Sequence, residues 1–291
     1  MTNPLKQIIK AVLPQPVITR IKQRRRKNQQ KATFQNALRP SDVFFIGHPK
    51  SGNTWLAYML GIVLQKDRSE KVTTANVGEF VPVIHVQDWK IARFAHLPDP
   101  RVFRNEAPVY PELYPKTIYI IRDARAALLS YYHHCSHDLE KLEGESFSWS
   151  IDEFLDEMLT VGCIKRLEPD LLRWDRQIAQ WQERAKRQAV KFVKYEDLLA
   201  NTKEEFRGVL EFAGIPCDED LLNLAVQRGT FKSMRKQEEI HGAESFPGEK
   251  GKSGFFVRKG KTDSWREEMT PAQIARIEKA FWPTLKALGY L

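Results

Sequence analysis

The sequence predicts an α/β fold, a single domain with a central, mostly parallel sheet flanked by helices and a P-loop-like strand, loop and helix that binds phosphate. Three observations carry that expectation. Short β-branched or aromatic runs near residues 43–46, 117–123 and 189–197 are each followed closely by a helical stretch, and strands alternating with helices build parallel sheets covered on both faces. The first run passes into "GHPKSGNTW", residues 47–55, where Gly47 and Gly52 bracket a tight turn. Lastly, 291 residues at 42% hydrophobic and 29% charged suffice for a sizeable core and do not have the composition of a disordered chain.

Charge divides the chain before any element is assigned. Residues 1–40 hold ten Lys/Arg and no Asp/Glu, which leaves 36 basic against 37 acidic residues in 41–291. The whole formal excess of +9 therefore belongs to a basic N-terminal arm, 1–40, and the α/β domain, 41–291, is near neutral. "RIKQRRRKNQQK", residues 20–31, reads as a solvated, flexible segment. Upstream, Leu5, Ile8, Ile9, Val12 and Leu13 fall on one face of a short helix that Pro14 and Pro16 stop. Three readings of the arm follow: a solvated extension without a partner, peripheral attachment to an anionic membrane surface, and weak, non-specific nucleic-acid binding. The apolar run is too short and broken to span a bilayer, and no cleavage-site pattern marks a signal peptide. Cys135, Cys163 and Cys217 are few and unpatterned, which points to reduced thiols and a cytoplasmic setting.

The elements follow in order. "DVFFIGHP" is a buried strand at 43–46, and "TWLAYMLGIVL" a buried helix after the loop. "TIYIIRD" is a second strand ending at Arg122 and entering a helix over 124–133. "AVKFVKYED" is a third, preceding a helix at 203–213 that Gly214 and Pro216 close. Between these lie helical stretches near 150–160 and 171–187; in the latter Leu171, Leu172, Trp174, Ile178 and Trp181 are spaced as core residues. Ligands of such a sheet collect at the carboxyl ends of its strands, where the 47–54 loop and Arg122 both fall.

Gly47 and Gly52 let main-chain N–H groups approach a ligand, and the helix starting near Thr54 aims its positive end at the same spot. An anion is the natural occupant. A triphosphatase loop would carry lysine where Asn53 stands; here the lysine is Lys50. A Mg²⁺-dependent kinase-like enzyme would need the loop threonine and an aspartate such as Asp123 to hold its metal. His133 and His137, one helical turn apart in "HHCSHD", have a spacing that suits zinc.

Three segments in order resemble the cytosolic sulfotransferase family across residues 41–290. "HPKSGNTW" is similar to its 5′-phosphosulfate loop, Pro-Lys-Ser-Gly-Thr-Thr-Trp, with Asn53 in place of the first threonine. "IYIIRDARAALLSYYHH" resembles its 3′-phosphate strand and helix, with Arg122 and Ser130 at the matching positions. "VRKGKTDSWREEMT" resembles its third signature through Arg258, Lys259, Gly260, Trp265 and Thr270. The resemblance implies sulfuryl transfer from 3′-phosphoadenosine 5′-phosphosulfate (PAPS) to a small-molecule acceptor, with no metal expected. It implies donor contacts from Lys50, Ser51, Gly52, Asn53, Thr54 and Trp55, a 3′-phosphate site of Arg122, Ser130, Arg258, Lys259 and Gly260, and adenine contacts from Trp55, Tyr195 and Phe231. Gly229 stands where the family often has a threonine. "RFAHLPDP" resembles the segment that holds the family's catalytic histidine, which makes His96 the expected base, although Phe94 replaces a common lysine. Lys50 is the expected stabiliser of the leaving phosphate. "REEMTPAQIA" resembles the family's dimer motif only in part, with Ala275 for its glutamate, and a homodimer stays open. A membrane- or nucleic-acid-associated protein with a degenerate nucleotide site is the non-enzymatic alternative.

Overall fold

At the centre of the molecule is β1 (Val43–Gly47), a strand whose five residues are all buried. The computed structural model describes residues 15–84, 90–143, 148–164, 170–243, 246–247, 260 and 262–291. β1 is paired on one side with β2 (Val102–Asn105) and on the other with β3 (Lys116–Ile121), beyond which lies β4 (Ala189–Lys194). All three pairings are parallel, in the order β2-β1-β3-β4. "VFFIG" shows no polar alternation because a parallel sheet buries both faces.

The two-residue period of a strand sends alternate side chains into two separate cores. Phe44, Ile46, Phe103, Tyr119 and Ile121 enter one; Val43, Phe45, Val102, Ile118 and Ile120 enter the other. The arm helix α1 (Gln15–Ala37) adds Phe34 to the first core. The second core is filled chiefly from α2 (Asn53–Leu64), which buries Leu56, Ala57, Tyr58, Met59 and Leu60. The first core takes Leu128 and Leu129 of α3 (Ala124–Glu143), Phe154 of α4 (Ile151–Thr160) and Trp174, Ile178 and Trp181 of α5 (Trp174–Ala185). After β4 come α6 (Tyr195–Ala200), α7 (Thr202–Ala213), α8 (Glu219–Arg228), α9 (Phe231–His241) and α10 (Pro271–Ala287). Gly214, at φ +74°, closes α7 as its left-handed C-cap.

Four differences from the sequence reading have physical causes. β4 stops at Lys194, and Tyr195 already begins α6. α5 starts only at Trp174, so Leu172 falls outside its apolar stripe and is 40% exposed. β2 lies outside the three expected strands; its segment "RVFRN" carries two arginines, and both are buried. Arg101 forms a two-pronged bond to Asp42, at 2.8 and 2.6 Å, and Arg104 Nε donates to the Val81 carbonyl at 2.9 Å. The basic run 20–31 is helical, since "VITRIKQRRRKNQQKATFQNA" has no glycine or proline to interrupt it. Its end is anchored by Phe34, fully buried in the first core against Tyr110 and Phe44, at ring separations of 5.6 and 6.2 Å. The apolar face read at 5–13 lies outside the described residues. Among the described residues no helix is long and apolar enough to cross a membrane.

Candidate active site

The loop between β1 and α2 leaves the carboxyl edge of the sheet, and its backbone is bent twice into the left-handed region. Lys50 has φ +65° and Gly52 φ +104°. A side chain at Gly52 would also collide with Tyr195, whose Cδ2 lies 2.7 Å from an ideal Cβ. The turn is closed by Ser51 N–H donating to the His48 carbonyl at 3.1 Å. No side chain caps the start of α2, so its first N–H groups face the loop. Ser51 Oγ is buried there without a hydrogen-bond partner among the described residues, a donor in position for an anion's oxygen. Beneath the loop, burial lowers the pKa of His48 to about 4 against the opposing pull of the Pro49 carbonyl, and the ring is neutral at physiological pH.

From the loop, contacts run through Arg122, Tyr195 and Trp55, three of the residues expected to hold a nucleotide. Arg122, just past β3, donates Nη1–H to the Lys50 carbonyl at 2.8 Å and lays its guanidinium over the Tyr195 ring at 4.3 Å. Trp174 Nε1–H holds the Arg122 carbonyl at 3.2 Å. Tyr195 meets Trp55 edge to face, with centroids 5.5 Å apart. Burial raises the Tyr195 pKa, against the nearby Arg122 charge, so its hydroxyl keeps its proton. Trp55 Nε1–H donates to the Gly229 carbonyl at 2.8 Å. Two residues on, Phe231 begins α9 and is 41% exposed, and Gly260, at φ +61°, lies so close that a Cβ would come within 2.5 Å of its ring. Ser130 is half-buried, about two turns into α3. Thr54 is in the first turn of α2. Arg258 and Lys259 lie outside the described residues.

Other matched residues serve the fold. Trp265 is buried beneath the Arg125 guanidinium, 4.2 Å from its centroid, and Thr270 caps α10 through a reciprocal bond pair with Gln273. Asp123, the aspartate a metal-dependent kinase would need, is buried and bound by Arg125 Nη2 at 2.6 Å and Nε at 3.0 Å. His133 Nε2 bonds Glu268 Oε2 at 2.9 Å, and the side chain of His137 is outside the described residues.

His96, the expected base, lies on a different segment from the phosphate loop. It is exposed, on the loop before β2, with Nδ1 3.2 Å from the Arg93 carbonyl. The neighbouring Ala95 carbonyl accepts from Arg39 Nη2 at 2.7 Å, and Arg39 N–H in turn donates to Asp42 at 2.8 Å. Asp42 immediately precedes β1, and Val43 is paired with Val102. These bonds tether His96 to the amino edge of the sheet. The phosphate loop leaves the opposite edge, and four strand residues at ~3.3 Å each put roughly 13 Å between the two levels. The backbone thus places His96 toward the amino ends of the strands and Lys50 past their carboxyl ends. Phe94, in place of the lysine, packs on Phe103 with centroids 5.6 Å apart.

A residue the sequence reading passed over stands at the right edge. Glu106 follows β2 directly, and Asn53 Nδ2–H donates to its Oε1 at 2.7 Å. The signal was available in principle, as a carboxylate ending a strand beside the phosphate loop, but it required recognising β2.

Residues 40–289 match the family model described as Sulfotransferase domain. Sulfotransferase 1A1 of Bos taurus is 29% identical over 252 residues, covering 82% of this chain and 81% of its own. Sulfotransferase 1A1 of Rattus norvegicus is 26% identical over 262 residues, covering 84% and 85%. Among solved structures, a retinol dehydratase in a complex with retinol and PAP shares the fold, with a TM-score of 0.66 at 18% identity over 90% of this chain and 86% of that one. Matched from the residues before β1 almost to its C-terminus, the chain belongs to the sulfotransferase family and is a sulfotransferase.

Proposed function

We propose that the chain transfers a sulfuryl group from PAPS to a hydroxyl or amine of a small acceptor. The observation that carries this reading is the double engagement of Arg122, bonded to the Lys50 carbonyl and stacked on Tyr195. One guanidinium thereby joins the phosphate loop to an aromatic surface, as a ligand with phosphate at one end and a purine at the other requires. The buried, unpartnered Ser51 Oγ and the uncapped start of α2 fit the 5′-phosphosulfate. Arg122 and Ser130, with Arg258, Lys259 and Gly260, would hold the 3′-phosphate, and Trp55, Tyr195 and Phe231 the adenine. The similar retinol dehydratase, whose solved complex contains PAP, supports the same donor. Sulfuryl transfer needs little beyond positioning and charge stabilisation. Lys50 would offset negative charge growing on the phosphate oxygen that leaves.

Isothermal calorimetry with adenosine 3′,5′-bisphosphate tests the donor site, with binding expected for the parent chain and lost on replacing Arg122 with Ala. A screen of phenols, alcohols and amines with labelled PAPS identifies the acceptor. Turnover is expected to continue in EDTA; a Mg²⁺ requirement would favour a phosphotransferase, a reading the engagement of Asp123 with Arg125 already weakens. The exposed basic length of α1 supports a second reading alongside catalysis, peripheral attachment to anionic membrane.

A further inference from the structure

We infer that Glu106 is the base that deprotonates the acceptor, with Asn53 as the residue that positions it; the assignment rests on the sulfuryl-transfer reading above. β1 and β2 are parallel neighbours with Ile46 paired to Asn105, so Glu106 leaves the sheet level with the residues that enter the phosphate loop. Adjacent strands lie about 4.8 Å apart, which sets the carboxylate beside the loop. Asn53 closes the gap, donating Nδ2–H to Glu106 Oε1 at 2.7 Å from the first turn of α2. Gly47 makes room for it, because a side chain there would overlap Asn53.

The backbone that presents Glu106 is also held. Gln177 Nε2–H donates to the Glu106 carbonyl at 2.7 Å, and Gln177 Oε1 accepts from the Tyr119 hydroxyl at 2.9 Å, all but sealed from solvent. Asn105 Oδ1 accepts from Ala107 N–H at 2.7 Å and turns the chain just past the strand. Glu106 itself is half-buried, accessible to a substrate while fixed in direction. The rival groups are otherwise placed: His96 is at the far edge, His48 is sealed under the loop, and Asp123 is bound by Arg125.

The step balances without a further reactant. The Glu106 carboxylate takes the acceptor O–H proton as the acceptor oxygen bonds to sulfur. The sulfur–oxygen bond to the donor phosphate breaks, and its electron pair stays on the phosphate oxygen beside Lys50. The resulting carboxylic acid then returns its proton to water.

The test uses full-length protein and labelled PAPS, following transfer to a panel of phenols and aliphatic alcohols and, in parallel, sulfate release to water. Glu106→Gln keeps the shape and the capacity to accept from Asn53. It is expected to lose ~10²- to 10⁴-fold in turnover while binding adenosine 3′,5′-bisphosphate like the parent, and to lose least with the most acidic phenols, which need a base least. His96→Ala is expected to retain parental turnover. Asn53→Ala should lower kcat more than it raises KM, with partial rescue by Asn53→Gln. Parental turnover in Glu106→Gln, or its loss in His96→Ala instead, overturns the assignment and leaves the sulfotransfer reading standing. A parent chain that neither binds the bisphosphate nor releases sulfate from PAPS sinks both.

Discussion

Lys50 combines two properties that are seldom placed together, a left-handed backbone at φ +65° and a side chain on which the proposed chemistry depends. Non-glycine residues in that region cost of order 1 kcal/mol or more, and the cost is sustained here by the Arg122 bond to its carbonyl. Lys50→Met is expected to reduce kcat by roughly 10²- to 10³-fold with a smaller effect on bisphosphate affinity, measured by single-turnover kinetics and calorimetry. Two residues earlier, His48 links the loop to pH. Its folded pKa of about 4 is below the unfolded value of ~6.5, so the unfolded chain binds the extra proton between these values. Stability contributed by the neutral ring is present above pH 6.5 and is lost as pH falls toward 4, by ~3 kcal/mol in total. His48→Phe should flatten the pH dependence of unfolding free energy in that window; an unchanged slope would assign the acid sensitivity elsewhere.

At the scale of elements, the site is a set of strand ends, and its legibility follows from how each end is written. β1 and β3 are largely apolar runs and β4 is a β-branched and aromatic one interrupted by Lys191, and the residues that leave them, from Lys50 to Trp55, then Arg122 and Tyr195, lie in short contiguous motifs that can be read directly. β2 contradicts its own composition. A short strand that carries Arg104 and follows Arg101 reads as exposed loop unless Asp42 and the Val81 carbonyl are known to receive them, and those partners are 59 and 23 residues away in sequence. With β2 hidden, nothing in the sequence shows that Glu106, which follows it, stands beside the phosphate loop. The turn from β1 into α2 gives a sharper expectation. Gly52→Ala meets both the left-handed backbone at φ +104° and the Tyr195 ring, so it is expected to destabilise by ~1–3 kcal/mol and to abolish bisphosphate binding. Chemical denaturation and calorimetry on one preparation separate the two effects, and full binding by a folded Gly52→Ala chain would disprove the tight cradle.

Across the whole molecule, charge and packing divide the N-terminal arm at different residues. All of the net positive charge belongs to residues 1–40, yet α1 is already part of the fold by Phe34, fully buried against Phe44, Tyr110 and Tyr114. The last basic residue of the run, Lys31, pairs with Glu112 at 2.7 Å, but both side chains are over 40% exposed, and such a pair contributes little. Phe34 is different, since removing a buried aromatic costs ~3–5 kcal/mol. Two truncations therefore separate attachment from folding. Deleting residues 1–31 removes nearly all of the basic arm and keeps Phe34; it should preserve the melting temperature and turnover in solution while abolishing co-sedimentation with phosphatidylserine vesicles. Deleting residues 1–36 should abolish co-sedimentation as well, but also lower the melting temperature by several degrees as the first core loses its aromatic plug. Binding of the parent to vesicles should weaken steeply as salt rises, because the attraction of exposed cations to an anionic surface is screened within about a Debye length. Vesicle binding that survives the shorter deletion would assign attachment to the domain instead of the arm, and equal melting temperatures for the two truncations would show that Phe34 does not tie α1 to the core.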